Sequence, residues 1–216
     1  QFHPAVSSLQ ATCHRLGVSL QDVTVLSLHG RPSVSIRRQL RRQSQLLVLT
    51  DQNSQPPRLA KECIDAGFPQ SALTVCENLG YRNEKISRFT AQELMRNPQD
   101  FDPLHVTYIE VLGRGGIQPE FPGIPDEHFV TGEAPGKGMI SKREVRLAIL
   151  SLMQVAKDDV VWDVGAGCGG VAVELALWQP HARIYAVEFH RERLSYLKQN
   201  REHFGVVSNL QVVEGR

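Results

Sequence analysis

The sequence predicts an α/β protein in two parts, and three observations predict it. Between residues 22 and 112, β-rich runs alternate with helical patterns. A glycine- and proline-rich stretch, 113–123, then interrupts regular structure. Beyond it, an apolar strand at 160–164 runs into a glycine-rich turn and a helix. That is how an α/β domain builds a floor for a nucleotide-like ligand.

Taken in order, His3 and Pro4 open a loop, and Ser7 or Ser8 caps a helix through Arg15 that Gly17 ends. A strand over 22–28 leads into His29, Gly30 and Arg31, at the kind of strand end where α/β folds place ligand contacts. A solvated polar loop is the alternative. A helix is expected over 33–43, with Arg37, Arg38, Arg41 and Arg42 along a common side. Such a side reads first as a solvated face and second as a contact for an acidic ligand.

A strand at 45–50 (QLLVLT) and a loop at 53–57 precede a helix at 57–66, with proline at its start and Gly67 after it. After a strand at 72–76 come Glu77, Asn78, Leu79, Gly80 and Tyr81, read equally as a ligand-facing loop or an ordinary turn. A strand at 86–89 follows. Thr90 and Glu93 are spaced as a capping box for a short helix, and a strand over 105–112 closes the first domain, residues 1–113.

Residues 114–123 read as a linker and 124–216 as a second domain. A glycine-broken loop at 132–138 leads to Ser141 and Glu144, spaced as a capping box for a helix through Met153. After the strand at 160–164, a helix runs from near Val171 to Trp178 and stops before Pro180. A strand at 183–188 (RIYAVE), an amphipathic helix at 191–204 closed by Gly205, and a strand at 210–214 complete the chain.

The turn after 160–164 carries the chemistry. Gly165, Gly167 and Gly170 fit the G-x-G-x-x-G dinucleotide fingerprint. With Asp163 the same residues fit D-x-G-x-G-x-G, the pattern of S-adenosylmethionine (SAM) methyltransferases. A plain tight turn is the bland alternative. Asp163 favours a cofactor bearing an amino group and a sulfonium, because it would repel a pyrophosphate. Glu188 ends the next strand, where an acid accepts ribose hydroxyls in NAD and SAM folds alike.

The charge balance is +1, which gives no global electrostatic case for a nucleic acid or a membrane surface. Cys13, Cys63, Cys76 and Cys168 are scattered without a C-x-x-C pair; this suits a reducing cytoplasm, and no metal site is expected. No apolar run approaches the length of a membrane span.

GIPDEHF at 123–129, SKREVR at 141–146 and DVGAGCGG at 163–170 resemble the C-terminal part of the precorrin-6Y C5,15-methyltransferase (decarboxylating) family of cobalamin biosynthesis. PAVSS at 4–8, SLHGR at 27–31 and ENLG at 77–80 resemble the tetrapyrrole methylase part of the same family. The resemblance implies the C-terminal half of a tetrapyrrole methylase domain followed by the N-terminal part of a Rossmann-like class I SAM methyltransferase domain. It implies methylation of a corrin precursor at C5 and C15, with decarboxylation of an acetate side chain.

The resemblance also assigns residues. Gly165, Ala166, Gly167, Cys168 and Gly169 would pass under the methionine part of SAM, with Asp163 beside them. Glu188 would hold the ribose, and Ser141 would contact the cofactor from the preceding loop. Ser7, Ser8, His29 and Arg31 would face the cofactor or macrocycle in the first domain; no catalytic residue is assigned. A homo-oligomer is expected, with a tetrapyrrole substrate and no nucleic acid or membrane partner. The family's opening glycine-rich strand–loop is absent, and Ala5 stands where the family commonly has glycine. The chain is therefore expected to be an internal, inactive piece of a longer fusion. The alternatives are a SAM methyltransferase on another substrate such as RNA, and an NAD-binding oxidoreductase.

Overall fold

The computed structural model describes residues 5–215; the loop at His3 and Pro4 and the final Arg216 lie outside the described residues. The chain forms two compact units, Gln1–Gly116 and Ile117–Arg216, which divide the glycine-rich stretch 114–123 between them.

The first unit is built on five strands: β1 (Thr24–Ser27), β2 (Gln45–Leu49), β3 (Ala72–Glu77), β4 (Lys85–Thr90) and β5 (His105–Glu110). Their order is β1-β2-β5-β3-β4, with β1 and β2 parallel and the other neighbours antiparallel. Alternation along β2 sends Leu46 and Val48 to one face, where they join Ile36, Leu59, Leu73 and Ile109 in the larger core. Leu47 points the other way, into a smaller cluster with Cys13, Val106 and Tyr108. That cluster packs under α1 (Ser8–Leu16), whose capping box is complete: Gln10 N donates to Ser7 Oγ (3.2 Å) and Ser7 N to Gln10 Oε1 (2.9 Å). α2 (Pro56–Asp65) and α3 (Ala91–Arg96) complete the unit, and the Thr90–Glu93 box caps α3 as the sequence predicted.

The helix expected over 33–43 is a 3₁₀ helix, Ser33–Gln39. Serine hydroxyls in and just beyond it compete with an α-helical ladder: Ser35 Oγ donates to Pro32 O (2.7 Å), and in the following loop Ser44 Oγ reaches Arg41 O (2.7 Å) and Gln39 O (3.0 Å). The face read as solvated is not so at Arg37, which pairs with Glu62 and Asp65 on α2, each at 2.6 Å.

The second unit has three parallel strands, β6 (Val160–Val164), β7 (Arg183–Glu188) and β8 (Leu210–Glu214), in that order. Val161, Ile184, Ala186 and Leu210 share a core with α5 (Gly170–Trp178) and with Leu194 and Leu197 of α6 (Arg191–His203). On the other face Val160, Trp162 and Val164 are exposed, and Trp162 stacks on Tyr185 at 4.8 Å. The capping box expected at Ser141 and Glu144 does not form. Helix α4 (Arg143–Met153) starts one residue later than that box requires, with Lys142 as N-cap and no side-chain cap bond. The Ser141 carbonyl is instead drawn to Arg146.

Candidate functional site

Strand β6 delivers the chain into the glycine turn, and β7 fixes it. Gly165 N and Ala166 N both donate to Val187 O, at 2.9 and 3.0 Å. Gly165, Gly167 and Gly169 take φ of 81°, 62° and 87°, a region costly for other residues. At Gly169 space matters too, since a Cβ there would lie 2.3 Å from Leu197 Cδ1. At Gly165 a Cβ would meet nothing within 4 Å, so the side above the turn is open.

That open side is a cavity of about 370 Å³. It gathers Ser141, Asp163, Gly165, Ala166, Gly167 and Cys168, with Arg193 also in its wall. Gly169 and Glu188 are not part of the lining: Gly169 is turned toward α6, and Glu188 sits behind the turn.

Two acids flank the turn. Burial would raise the Glu188 carboxyl, but N–H bonds from His190 (2.8 Å), Gly167 (2.8 Å) and Phe189 (2.9 Å), with Arg193 nearby, hold it below the usual carboxylate range. Glu188 thereby ties the turn to the start of α6. Asp163 moves the other way. Burial raises its carboxyl above the ordinary value, a backbone bond from Ala172 offsets part of the rise, and the Glu188 charge adds to it. Its Oδ2 is buried in the cavity wall without a hydrogen-bond partner. A ligand bearing a cationic group fits that orphaned oxygen, and a glycine floor without side chains fits close backbone approach. The Cys168 thiol is buried and its proton held more tightly for that reason, so it is a wall rather than a nucleophile.

The sequence reading missed what holds the wall in place. Arg146, fully buried, donates to Glu174 Oε1 (2.8 Å), Asp126 Oδ1 (2.7 Å) and the carbonyls of Ser141 and Ile124. Glu174 also accepts from Gly123 N (2.8 Å) and Ile124 N (3.1 Å). Asn200 on α6 makes a second tie, pairing with both backbone groups of Val130 and donating to Cys168 O (2.8 Å). The available signal was Glu174, the one charged residue in the apolar helix GVAVELALW.

In the first unit the four candidates are not brought together. Ser7 spends its hydroxyl on the cap of α1, while Ser8 lines a cavity of about 380 Å³ with Cys76, Tyr81 and His105. Arg31 lines a separate cleft with Gly30, Asp51 and Arg58, and exposed His29 lies outside its lining. The 77–81 stretch is held as a turn: Glu84 accepts from Gly80 N (2.8 Å) and pairs with Arg15 (2.6 Å), which pulls its carboxyl down to about 2. Among the described residues, no cluster of three His, Cys, Asp or Glu is placed to hold a metal, and no helix is long and apolar enough to cross a membrane.

Residues 1–95 match the family described as Tetrapyrrole (Corrin/Porphyrin) Methylases, and residues 135–216 match the Precorrin methyltransferase domain. Over 214 residues the chain is 37% identical to the precorrin-6Y C(5,15)-methyltransferase [decarboxylating] of Sinorhizobium sp, covering 98% of this chain and 50% of that protein. The chain resembles this family along almost its whole length. The Mycobacterium tuberculosis protein of the same name is 30% identical over 94% of the chain and 49% of its own length. A probable cobalt-precorrin-6B C(15)-methyltransferase (decarboxylating) of Pyrobaculum calidifontis is 41% identical over 44% of this chain and 48% of that one. The chain thus spans about half the length of the curated relatives it matches. The α/β fold, with a tetrapyrrole methylase part before a methyltransferase part, is the one the sequence predicted.

Proposed function

We infer that the chain carries part of a SAM-dependent enzyme that methylates a corrin precursor, precorrin-6Y or its cobalt form, at C5 and C15 and decarboxylates an acetate side chain. Residues 1–113 serve as the C-terminal half of a tetrapyrrole methylase domain and 124–216 as the N-terminal part of a class I methyltransferase domain, acting in the cytoplasm. One observation carries the reading: the cavity over the glycine turn, with the unpartnered Asp163 oxygen in its wall.

When bound, SAM supplies a methyl group on a sulfonium. The chain's own residues hold and orient it. Gly165, Ala166, Gly167 and Cys168 give a backbone floor that Gly169 completes from outside the lining, Asp163 offers a carboxylate to a cationic group, and Ser141 offers a hydroxyl from the facing wall. Glu188 lies outside the cavity lining with both oxygens on backbone N–H groups, so its part in holding the ribose hydroxyls rests on the family resemblance. Ser7, Ser8, His29 and Arg31 are weaker candidates for the macrocycle.

Calorimetry of the chain with SAM and with NAD tests the cofactor. Binding of SAM that Asp163→Ala abolishes is expected; binding of NAD alone would sink the reading. For the substrate, a polypeptide joining this chain to the remaining half that the curated relatives carry is incubated with SAM and precorrin-6Y. A product methylated at both carbons and decarboxylated is expected, and an unchanged mass refutes it.

A further inference from the structure

We propose that the cleft at the carboxyl ends of β1 and β2 is a carboxylate-binding site, with Arg58 and Arg31 as its anchors and a polycarboxylate as its ligand. The proposal deepens the corrin-precursor reading, on which its biological ligand rests, by naming residues that would hold the acidic side chains of such a substrate.

The strands place the cleft. β1 and β2 are adjacent and parallel, so the loops that follow them open on one sheet edge, the edge where α/β folds collect ligands. Gly30 and Arg31 from the first loop, Ser33 from the start of the 3₁₀ helix, Asp51 and Asn53 from the second loop, and Arg58 from α2 line a cleft of about 720 Å³. That volume suits a small-molecule ligand.

Arg58 is braced from behind. Its Nε donates to Ser33 Oγ (2.9 Å) and lies 3.1 Å from Glu62 Oε1. Ser33 donates to the same carboxylate (3.1 Å), and Glu62, fully buried, is held on its other oxygen by Arg37 Nε (2.6 Å). The inner edge of the guanidinium is therefore fixed by buried groups. Its outer edge faces the cleft without a protein partner among the described residues, as does the exposed Arg31 side chain. A guanidinium presenting two outer N–H groups is shaped for a carboxylate.

Asp51 is the acid that could oppose such a ligand, and it is already committed. Its Oδ2 accepts from Gly30 N (2.8 Å), and its Oδ1 from Asn53 N (2.9 Å) and Ser54 Oγ (2.9 Å). Those bonds hold its carboxyl below the usual range, and it pairs with neither arginine. The cleft thus presents the Arg31 guanidinium and the outer edge of the braced Arg58 guanidinium beside one carboxylate whose oxygens already accept protein hydrogen bonds.

The test titrates the full, isotopically labelled chain with uroporphyrin I, a polycarboxylate macrocycle, and follows amide shifts. Shifts gathered at 30–34 and 51–53 are expected. Arg58→Gln and Arg31→Gln should each weaken binding about fivefold or more, as loss of a charge-assisted contact does. Arg88→Gln, on the opposite edge strand β4, should stay within about twofold. Arg58→Lys keeps the charge beside Glu62 and protects the fold, yet should bind less well because it lacks the outer fork. Shifts elsewhere, an unchanged affinity in Arg58→Gln, or no binding at about 1 mM ligand overturn the proposal. So does pyrophosphate displacing the porphyrin at far lower concentration than citrate. SAM titration of the same samples separates the failures: cleft binding without SAM binding refutes the cofactor reading alone, and the reverse refutes the cleft alone.

Discussion

Each unit buries one helical glutamate completely, Glu62 on α2 and Glu174 on α5, and surrounds it differently. Glu174 is met by two backbone amides and by Arg146, itself fully buried. Glu62 is met by a serine hydroxyl, by Arg37 and by Arg58, whose side chain is 47% exposed. Burial of the acid is the same, so the difference lies in where the charge leads. Around Glu174 it closes on itself and staples the loop at Gly123 and Ile124, the Asp126 side chain and the Ser141 carbonyl into one position. Around Glu62 it runs outward and sets the posture of a guanidinium that meets solvent. A sealed pair adds little net stability, because desolvation offsets most of the Coulomb gain. It fixes which loop sits where.

Breaking the sealed pair has the largest expected effect. Arg146→Met leaves Glu174 buried without its cation, while partly exposed Asp126 keeps Lys142 at 3.6 Å, and should cost about 3–5 kcal/mol in denaturant unfolding. Adding Glu174→Leu should restore much of it; a single-variant loss below about 1 kcal/mol would remove the staple from the account. The open pair should yield less. Glu62→Gln is expected to cost about 2–3 kcal/mol, because Arg58 can turn to water and Arg37 keeps Asp65.

Asp163→Asn sharpens the contrast by sign. Burial raises the Asp163 carboxyl in the folded state, so the folded form binds the proton more tightly than the unfolded one. Stability therefore falls as pH rises past the unfolded value. The variant should melt higher than the parent near about pH 7, with the gap shrinking on acidification; SAM affinity should drop at the same time. Glu84→Gln should be the smallest change. The Arg15 contact holds the Glu84 carboxyl at about 2, so its contribution is present above the unfolded value and lost as pH falls toward about 2. Circular dichroism should show the variant's unfolding less dependent on pH across that acid range, with a small loss of stability at neutral pH that closes as pH falls toward about 2.

The strands of the second unit were legible because each is an apolar run bounded by glycine, proline or polar residues. The strand expected at 210–214 is β8 to the residue, and the turn after β6 carries positive φ at Gly165, Gly167 and Gly169. The 33–43 helix was misread because propensity counts residues, whereas the Ser35 and Ser44 hydroxyls compete for the carbonyls. Ser141 and Glu144 have capping-box spacing, but Arg146 pulls on the Ser141 carbonyl and the helix begins after Lys142. The Arg146–Glu174 pair was hidden for another reason. Its partners lie 28 residues apart, and Ile124 lies 50 from Glu174, so no local pattern records them. Ser7, Ser8, His29 and Arg31 could be named from motifs, but only the folded sheet edge separates Ser8 from Arg31 into two cavities.

The uncovered face of β6 has a consequence for the behaviour of the chain in solution. Parallel sheets are ordinarily covered on both sides, yet here Val160, Trp162 and Val164 stand in water on an edge strand. A water-facing apolar stripe beside unpaired backbone is adhesive. With a formal charge of only +1, little long-range repulsion keeps two copies apart. The stripe is therefore one place where two copies can adhere. Sulfate, which strengthens apolar contact, drives chains together through it, and mild chaotropes hold them dispersed.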